Sequence, residues 1–74
     1  MEIDTAKLKA LRDEKVLSLR DLEELSGVSA NTIWRLESGM HKQAHPRTIR
    51  KLAKALGVEP SYLRKGQTEG EAIR

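Results

Sequence analysis

The chain has 74 residues, no cysteine and a formal net charge of only +3. Its length predicts one domain with a small core and leaves little room for an enclosed active site. The lack of cysteine excludes disulfides and thiolate metal sites, and no apolar run is long enough to span a bilayer. Because no secretory signal is present in the sequence, we expect a protein that is soluble and cytoplasmic.

The first predicted element is a supporting helix. Asp4 can accept a hydrogen bond from the unpaired amides of a helix that runs to about Glu14. Leu8 and Leu11 recur at helical spacing within it, so one side of this helix is apolar. Aromatic residues are only 3% of the chain, and the aliphatic core that this composition implies favours helices over sheet.

A second helix is predicted to begin at Leu19. Ser18 can cap it, and Asp21 completes a pair that resembles a capping box. Leu22 and Leu25 supply a short apolar stripe. The pattern therefore indicates a short helix with one side against the core.

A glycine turn and a third helix follow directly. Gly27 offers the left-handed conformation that ends a helix, Ser29 can cap the next one with Thr32 in its first turn, and Gly39 lies where that helix should stop. Two capped helices around a turn, over residues 18–39, predict a helix-turn-helix.

The third helix has an apolar side and a polar side. Ile33 and Leu36 face the core, while Asn31, Arg35 and Ser38 recur at i, i+4 and i+7 on the other side. In a DNA-binding helix-turn-helix the second helix enters the major groove, where Asn can pair with adenine and Arg with guanine. The alternative is that these residues are solvated surface positions; the turn motif favours the groove interpretation.

Basic residues are concentrated after this motif. Between residues 38 and 58 there is no acidic residue, and the basic residues are Lys42, Arg47, Arg50, Lys51 and Lys54. Acidic residues cluster on the second helix, at Asp21, Glu23 and Glu24. The basic segment predicts contacts with DNA phosphates, from Lys42 and Arg47 among others; the alternative is a solvated loop and helix face.

Two further helices complete the predicted bundle. Pro46 and Thr48 indicate the start of a fourth helix that Gly57 ends, with apolar residues at helical spacing, namely Ile49, Leu52, Ala53 and Leu56. Pro60 starts a short fifth helix that we expect to end at Gly66. The sequence thus predicts one domain over residues 1–66 and a flexible tail over residues 67–74.

The motifs LRDLEELSGVSANTIWRLESG and TIRKLAKALGVEPSYL resemble the Cro/C1-type (XRE-like) helix-turn-helix family of phage and bacterial repressors. The resemblance covers roughly residues 8–63. It implies an all-α, compact five-helix bundle of the lambda-repressor-like DNA-binding type, with the third helix reading DNA. It further implies an ion pair between Arg12 and Glu37 and DNA contacts from Ser18, Leu19, Arg20, Ser29, Ala30, Asn31, Thr32, Trp34 and Arg35.

Some positions depart from the family pattern or allow two interpretations. Glu23 stands where the family usually has alanine, so its carboxylate must point outward or find a partner. Leu19 replaces a polar residue and could touch a thymine methyl or pack locally. Trp34 either stacks on a sugar or thymine methyl, which is the favoured view, or is buried against the first helix or the long loop. That loop, GMHKQAHP over residues 39–46, is longer than the family's usual connection.

No catalytic or metal-binding constellation is evident. His41 and His45 are four residues apart, but they lie before a proline with no carboxylate or thiol nearby, so phosphate contact or solvent exposure is expected instead. A phosphate-binding glycine loop and an activated-serine signature are both missing from the sequence. We therefore expect no enzyme, no metal and no cofactor.

The leading functional hypothesis is a sequence-specific transcriptional regulator, a repressor that binds double-stranded DNA as a homodimer. This dimer either exists in solution or forms only on DNA. Tyr62, Leu63 and Ile73 are the apolar groups near the end of the chain that could meet a partner copy. An alternative is an antitoxin that autoregulates its operon and binds a toxin protein. A further alternative is a protein-interaction module whose contact face is the acidic side of the second helix. No membrane partner is expected.

Overall fold

Five helices account for most of residues 1–65, the part of the chain that the computed structural model describes. In chain order they are α1 (Thr5–Glu14), α2 (Leu19–Ser26), α3 (Ala30–Glu37), α4 (Pro46–Leu56) and α5 (Pro60–Leu63). The all-α prediction is confirmed, and every predicted helix is present. None of these helices is both long and apolar enough to cross a membrane. The predicted tail, residues 67–74, lies outside the described residues.

The helix ends follow the capping residues that the sequence predicts. At the start of α1, Asp4 accepts a hydrogen bond from the Lys7 amide at 3.1 Å. At the start of α2, Ser18 and Asp21 each accept a hydrogen bond from the other's amide, at 2.9 and 3.0 Å. Gly27 ends α2 with φ of +81°, a conformation that glycine adopts without steric cost. These ends depend on neighbours in sequence, which is why the sequence predicts them.

The core lies where the helices meet and is aliphatic. Leu22 of α2, Ile33 of α3 and Leu52 of α4 are completely buried, and α2 packs on both α3 and α4. The buried residues that form the core cluster are Ile3, Leu8, Leu22, Val28, Ile33, Leu36, Ala44, Ile49, Leu52, Ala53, Leu56 and Leu63.

Two leucines lie where the sequence pattern did not place them. Leu25, predicted in the apolar stripe of α2, is 60% exposed. Helix α2 turns Leu22 inward, and the half-buried Ser26 one turn later donates to the Leu22 carbonyl at 2.7 Å and accepts from the Val28 amide at 3.1 Å. Leu25 lies next to the side of α2 that carries Leu22 and Ser26, and so remains outside the core. Leu63, predicted to be available to a partner copy, is completely buried and therefore belongs to the core.

The first three residues of the chain, 1–3, form an extended strap that the sequence did not predict. The Ile3 amide donates to the Lys42 carbonyl at 2.8 Å, and the Ala44 amide donates to the Met1 carbonyl at 2.8 Å. On its other side the strap pairs with the end of α5, where the Asp4 amide donates to the Leu63 carbonyl at 2.7 Å. Backbone pairing at this point ends α5 at Leu63, before the predicted stop at Gly66. The strap thus joins the loop after α3 to α5.

Val16, in the connection between α1 and α2, has a strained backbone. Its φ is +56° and it is 87% exposed, so no packing compensates a conformation that costs a branched residue about 1–2 kcal/mol. We expect Val16→Gly to raise the free energy of unfolding by about 0.5–1 kcal/mol in urea titrations, since glycine relieves the strain but gains freedom when unfolded. The bond from the Val16 amide to the Asp13 carbonyl, 3.0 Å, is retained.

The matched control for this prediction is Lys15→Gly. Lys15 has φ of −88°, so glycine relieves nothing there and should lower the free energy of unfolding by up to about 1 kcal/mol. If Val16→Gly were no more stable than the parent chain, strain at this position would not be a significant cost.

Candidate nucleic-acid interface

Helix α3 presents a polar side to solvent, as its spacing predicts. Ile33 and Leu36 are buried, whereas Asn31, Thr32 and Arg35 are exposed. Packing of α3 against α2 and α1 covers only its apolar side. An amide and a guanidinium therefore stand one turn apart on an open helix surface, and both can form paired hydrogen bonds with base edges.

Two side chains accept hydrogen bonds from the backbone amides at the start of α3. The Ser29 hydroxyl accepts a hydrogen bond from the Thr32 amide at 3.1 Å and donates one to the Thr32 hydroxyl at 2.9 Å. Glu23 of α2 accepts a hydrogen bond from the Ala30 amide at 3.2 Å. The carboxylate that departs from the family pattern therefore has a partner, and a negative charge is favourable at a helix N-terminus. A phosphate contact from Ser29, which stays a prediction, would compete with these bonds.

The start of α2 carries a mixed set of side chains. Arg20 is exposed, while Leu19 is half-buried and packs against the core. Hydrogen bonds from Ser18, chiefly from its backbone N–H, hold the pKa of Asp21 below its ordinary value. The stabilisation from this carboxylate is therefore present at neutral pH and is lost as the pH falls through that lowered pKa.

Arg12 and Glu37 form the ion pair that the resemblance implied. Arg12 Nε lies 2.6 Å from Glu37 Oε2, Arg12 Nη2 lies 3.0 Å from Oε1, and Arg12 Nη1 donates to the Leu17 carbonyl at 2.6 Å. The two side chains are only 13% and 6% exposed. Hydrogen bonding to Glu37 raises the pKa of Arg12. This bidentate pair joins α1 to the last residue of α3 and so fixes the position of the exposed polar side.

The loop after α3 is held at both ends, and this arrangement positions its basic residues. The His41 amide donates to the Arg35 carbonyl at 3.2 Å, and the Lys42 carbonyl accepts from the strap. His45 caps α4, because its Nδ1 accepts a hydrogen bond from the Arg47 amide at 3.1 Å. The side chains of Lys42, in this loop, and of Arg47, in the first turn of α4, remain exposed.

Most cations of this region form no ion pair with the acidic residues that the structure describes. Within residues 1–65 the ion pairs are Lys9–Asp13, Arg12–Asp13 and Arg12–Glu37. The exposed cations outside these pairs include Arg20, Arg35, Lys42 and Arg47. Exposed cations at the start of α2, in the loop after α3 and at the start of α4 can neutralise phosphates while the Asn/Arg surface of α3 meets base edges.

Trp34 lies at the edge of this surface. It is 47% exposed, so the alternative in which its ring is buried against the first helix or the loop is wrong. Its indole borders a shallow groove to which Leu19 and Lys9 also contribute. That it contacts DNA stays a prediction.

Comparison with known proteins identifies the family. A family model described as helix-turn-helix matches residues 8–63. The chain belongs to the Cro/C1-type helix-turn-helix family. The HTH-type transcriptional repressor RghR of Bacillus subtilis (strain 168) is 45% identical over 58 residues, which are 78% of this chain and 43% of that repressor. The chain thus spans less than half the length of this curated relative.

Solved structures of helix-turn-helix proteins share the fold. SinR, a master regulator for biofilm formation solved in complex with DNA, superposes with a TM-score of 0.73 at 25% identity over 76% of this chain and 89% of that one. The restriction-modification controller protein C.AhdI from Aeromonas hydrophila has a TM-score of 0.71 at 36% identity, over 76% of this chain and 83% of that one. The P22 c2 repressor in complex with a synthetic operator has a TM-score of 0.74 at 27% identity, over 84% of this chain and 92% of that one.

Sequence reasoning left the partner of Glu23 open and missed two other features of the site in this family member. Glu23 contacts the Ala30 amide across seven positions, a separation at which no local pattern gives a signal. The His45 cap did have a signal, because Pro46 directly after it suits the first position of a helix and makes the preceding residue the cap. The strap is too short to show any periodicity.

Proposed function

We propose that the protein is a sequence-specific DNA-binding transcriptional regulator, a repressor that acts by occupying its operator in the cytoplasm. The observation that carries this proposal is the exposed pair Asn31 and Arg35 on α3, together with exposed cations, Arg20, Lys42 and Arg47, that form no ion pair within residues 1–65. An amide and a guanidinium one helical turn apart match adenine and guanine edges in the major groove. The proposal includes no catalytic step, metal or cofactor.

The relatives support the same proposal. RghR is named as a transcriptional repressor, and SinR and the P22 c2 repressor were solved with DNA. With α3 in the major groove, base contacts fall to Ala30, Asn31, Thr32 and Arg35. Contacts to the sugar–phosphate backbone fall to the residues around the groove, namely Ser18, Arg20, Ser29, Lys42 and Arg47. These assignments divide reading of the sequence from positioning on the duplex.

The proposed complex contains two copies of the chain on a palindromic site, with half-sites about one helical turn apart. Since Leu63 is buried, we place the second copy on the shallow hollow between the first turn of α4 and α5. Pro46, Ile49 and Pro60 line this hollow, and the half-exposed Tyr62 lies on the same short helix as Pro60. Sedimentation with and without the operator duplex would measure whether the dimer forms only on DNA.

Selection from random duplexes, followed by binding assays over a range of salt concentrations, tests the proposal. We expect one enriched motif and an affinity that falls steeply with salt. Arg35→Ala should weaken binding to the selected site by about tenfold to a hundredfold and relax the preference at one base position, because it removes a bidentate base contact.

Arg47→Ala is the matched comparison, because it removes an exposed arginine of the predicted backbone contacts. It should weaken binding to all sequences alike and reduce the slope of log affinity against log salt by about one. A flat salt response with no enriched motif would overturn the proposed function. Uniform weakening by both variants would overturn only the assignment of Arg35 to base reading.

A further inference from the structure

A side-chain hydrogen bond joins α2 to α3 across the turn between them. Glu23 is half-buried on α2, directly after the completely buried Leu22, and its Oε1 accepts a hydrogen bond from the Ala30 amide at 3.2 Å. Ala30 is the first residue of α3, and the first amides of a helix have no partner within the helix itself. Where the family usually has alanine, this chain therefore has a carboxylate that holds the start of α3.

The turn between the helices has hydrogen bonds of its own. Ser26 Oγ accepts a hydrogen bond from the Val28 amide at 3.1 Å. The Gly27 amide donates to the backbone carbonyl of Glu23 at 2.8 Å, a bond that any residue at this position retains. Ser29 caps α3 through its hydroxyl. The distinct contribution of the Glu23 carboxylate is therefore to join the two helices, not to form either helix end.

Helix α3 is held at both ends by side chains of other helices. Glu23 of α2 binds its first residue, and Arg12 of α1 binds its last residue, Glu37. Asn31 is the second residue of α3, next to the Glu23 bond, whereas Arg35 lies one helical turn further toward the other end. Recognition side chains have to be held within about 0.5 Å of their productive geometry. A change at the start of α3 should therefore act most strongly on Asn31.

We infer that Glu23 is a positioning residue for Asn31, because it fixes the start of α3 where the Asn31 amide group meets its base edge. This inference rests on the proposed function and adds to it a residue that sets the preference at one base pair by acting through another side chain. A bidentate contact of Asn31 with adenine corresponds to a preference of about fivefold to a hundredfold, and both of its hydrogen bonds depend on the orientation of the amide plane. Arg35, held from the other end of α3, depends on Glu23 less.

The test measures preferences at single base pairs of the duplex obtained by random selection. Asn31→Ala and Arg35→Ala first identify the two base pairs, since each variant abolishes the preference at the pair that its parent residue reads. The preference is the ratio of the affinities for the selected base pair and for its replacement, so a uniform change in affinity cancels. In Glu23→Ala we expect the preference at the Asn31 base pair to fall by at least about threefold, and that at the Arg35 base pair to change by less than about twofold.

Matched variants separate the hydrogen bond from the charge. Glu23→Gln loses the charge but keeps a carbonyl oxygen that can accept from the Ala30 amide, so it should retain the preference at the Asn31 base pair. Glu24→Ala removes an exposed carboxylate one residue further along α2, which forms no ion pair within residues 1–65, and should leave this preference unchanged. Adding Glu23→Ala to Asn31→Ala should cause no further loss at this base pair, because Glu23 acts through Asn31.

Amide hydrogen exchange without DNA measures the contact directly. The Ala30 amide should exchange faster in Glu23→Ala than in the parent chain and in Glu23→Gln, by more than any difference in global stability requires. Urea unfolding of each variant identifies a temperature at which all of them are folded, and the affinities are compared at that temperature. A fall in preference at one base pair under these conditions is then an effect of position and not of unfolding.

The outcomes separate this inference from the proposed function. Sequence-specific binding with a preference at the Asn31 base pair that survives in Glu23→Ala would overturn the positioning role and leave the regulator proposal standing. An equal fall at the Asn31 and Arg35 base pairs, or a loss in Glu23→Gln as large as in Glu23→Ala, would also overturn it. So would an Asn31→Ala variant that keeps every preference, because Asn31 would then read no base. Lack of any sequence preference in the parent chain would instead overturn the proposed function, and this inference with it.

Discussion

Replacing Arg12 with methionine is expected to lower the free energy of unfolding by about 3–5 kcal/mol, because it leaves a desolvated carboxylate without its cation. Glu37, whose side chain is 6% exposed, would lose both donors of the bidentate pair, at 2.6 and 3.0 Å. The Leu17 carbonyl would lose its donor as well. A domain of this size has a total stability of only about 3–10 kcal/mol, so the variant should be largely unfolded at physiological temperature.

Urea or thermal unfolding followed by circular dichroism at several temperatures measures this effect. The control is Lys9→Met, which breaks the Lys9–Asp13 pair of 3.1 Å on the same helix. Both of those side chains are exposed, so we expect a change below about 0.5 kcal/mol. The double variant Arg12→Met with Glu37→Leu should recover much of the lost stability, since no unpaired charge is then buried.

If Arg12→Met were as mild as the Lys9 control, the pair would contribute little to the fold. If the double variant were no more stable than the single one, lost packing rather than an unpaired charge would be the cause. The pair also has a functional consequence, because it joins α1 to the end of α3. In the double variant we therefore expect the free energy of DNA binding to weaken by more than the free energy of unfolding falls. The reason is that α3 would lose a contact that fixes its orientation.

The parts of the fold that the sequence predicts are those set by short-range interactions. Ser18 and Asp21 are three residues apart and cap each other, and Gly27 ends α2 by its own conformational freedom. The two sides of α3 follow from helical spacing alone, which places Ile33 inward and Arg35 outward. Such features need no knowledge of the tertiary arrangement.

The parts that the sequence does not predict depend on how distant elements meet. Leu25 fits an apolar stripe by spacing, yet α2 turns Leu22 inward and leaves Leu25 outside. Leu63 looks like an exposed residue near the end of the chain, yet α5 packs against α4 and α1 and buries it completely. In the candidate site, the exposed residues of α3 were predictable, whereas the contact of Glu23 with the Ala30 amide required the angle between two helices. The Arg12–Glu37 pair came from the family resemblance and not from spacing.

The strap provides the last prediction, because a three-residue segment supports both the core and the loop after α3. Ile3 is almost completely buried, and its amide donates to the Lys42 carbonyl. Ile3→Ala should lower the free energy of unfolding by about 2–4 kcal/mol, through the lost transfer of its side chain and the cavity that remains. Ile3→Val should cost about 1 kcal/mol, since only one methylene is removed. Chemical denaturation of the three chains gives this series.

Amide hydrogen exchange distinguishes a local effect from a global one. The Ala44 amide, which donates to the Met1 carbonyl, should lose protection in Ile3→Ala by more than the loss in global stability requires, because the strap opens before the core does. Glu2→Ala is the control, since its side chain is exposed and its backbone bonds persist. Equal loss of protection at Ala44 and in the core would show that the strap unfolds only with the whole domain. Preferential loss of protection at Ala44 would mean that the strap holds the loop after α3 in place. DNA affinity should then fall in Ile3→Ala even at temperatures where the helices remain folded.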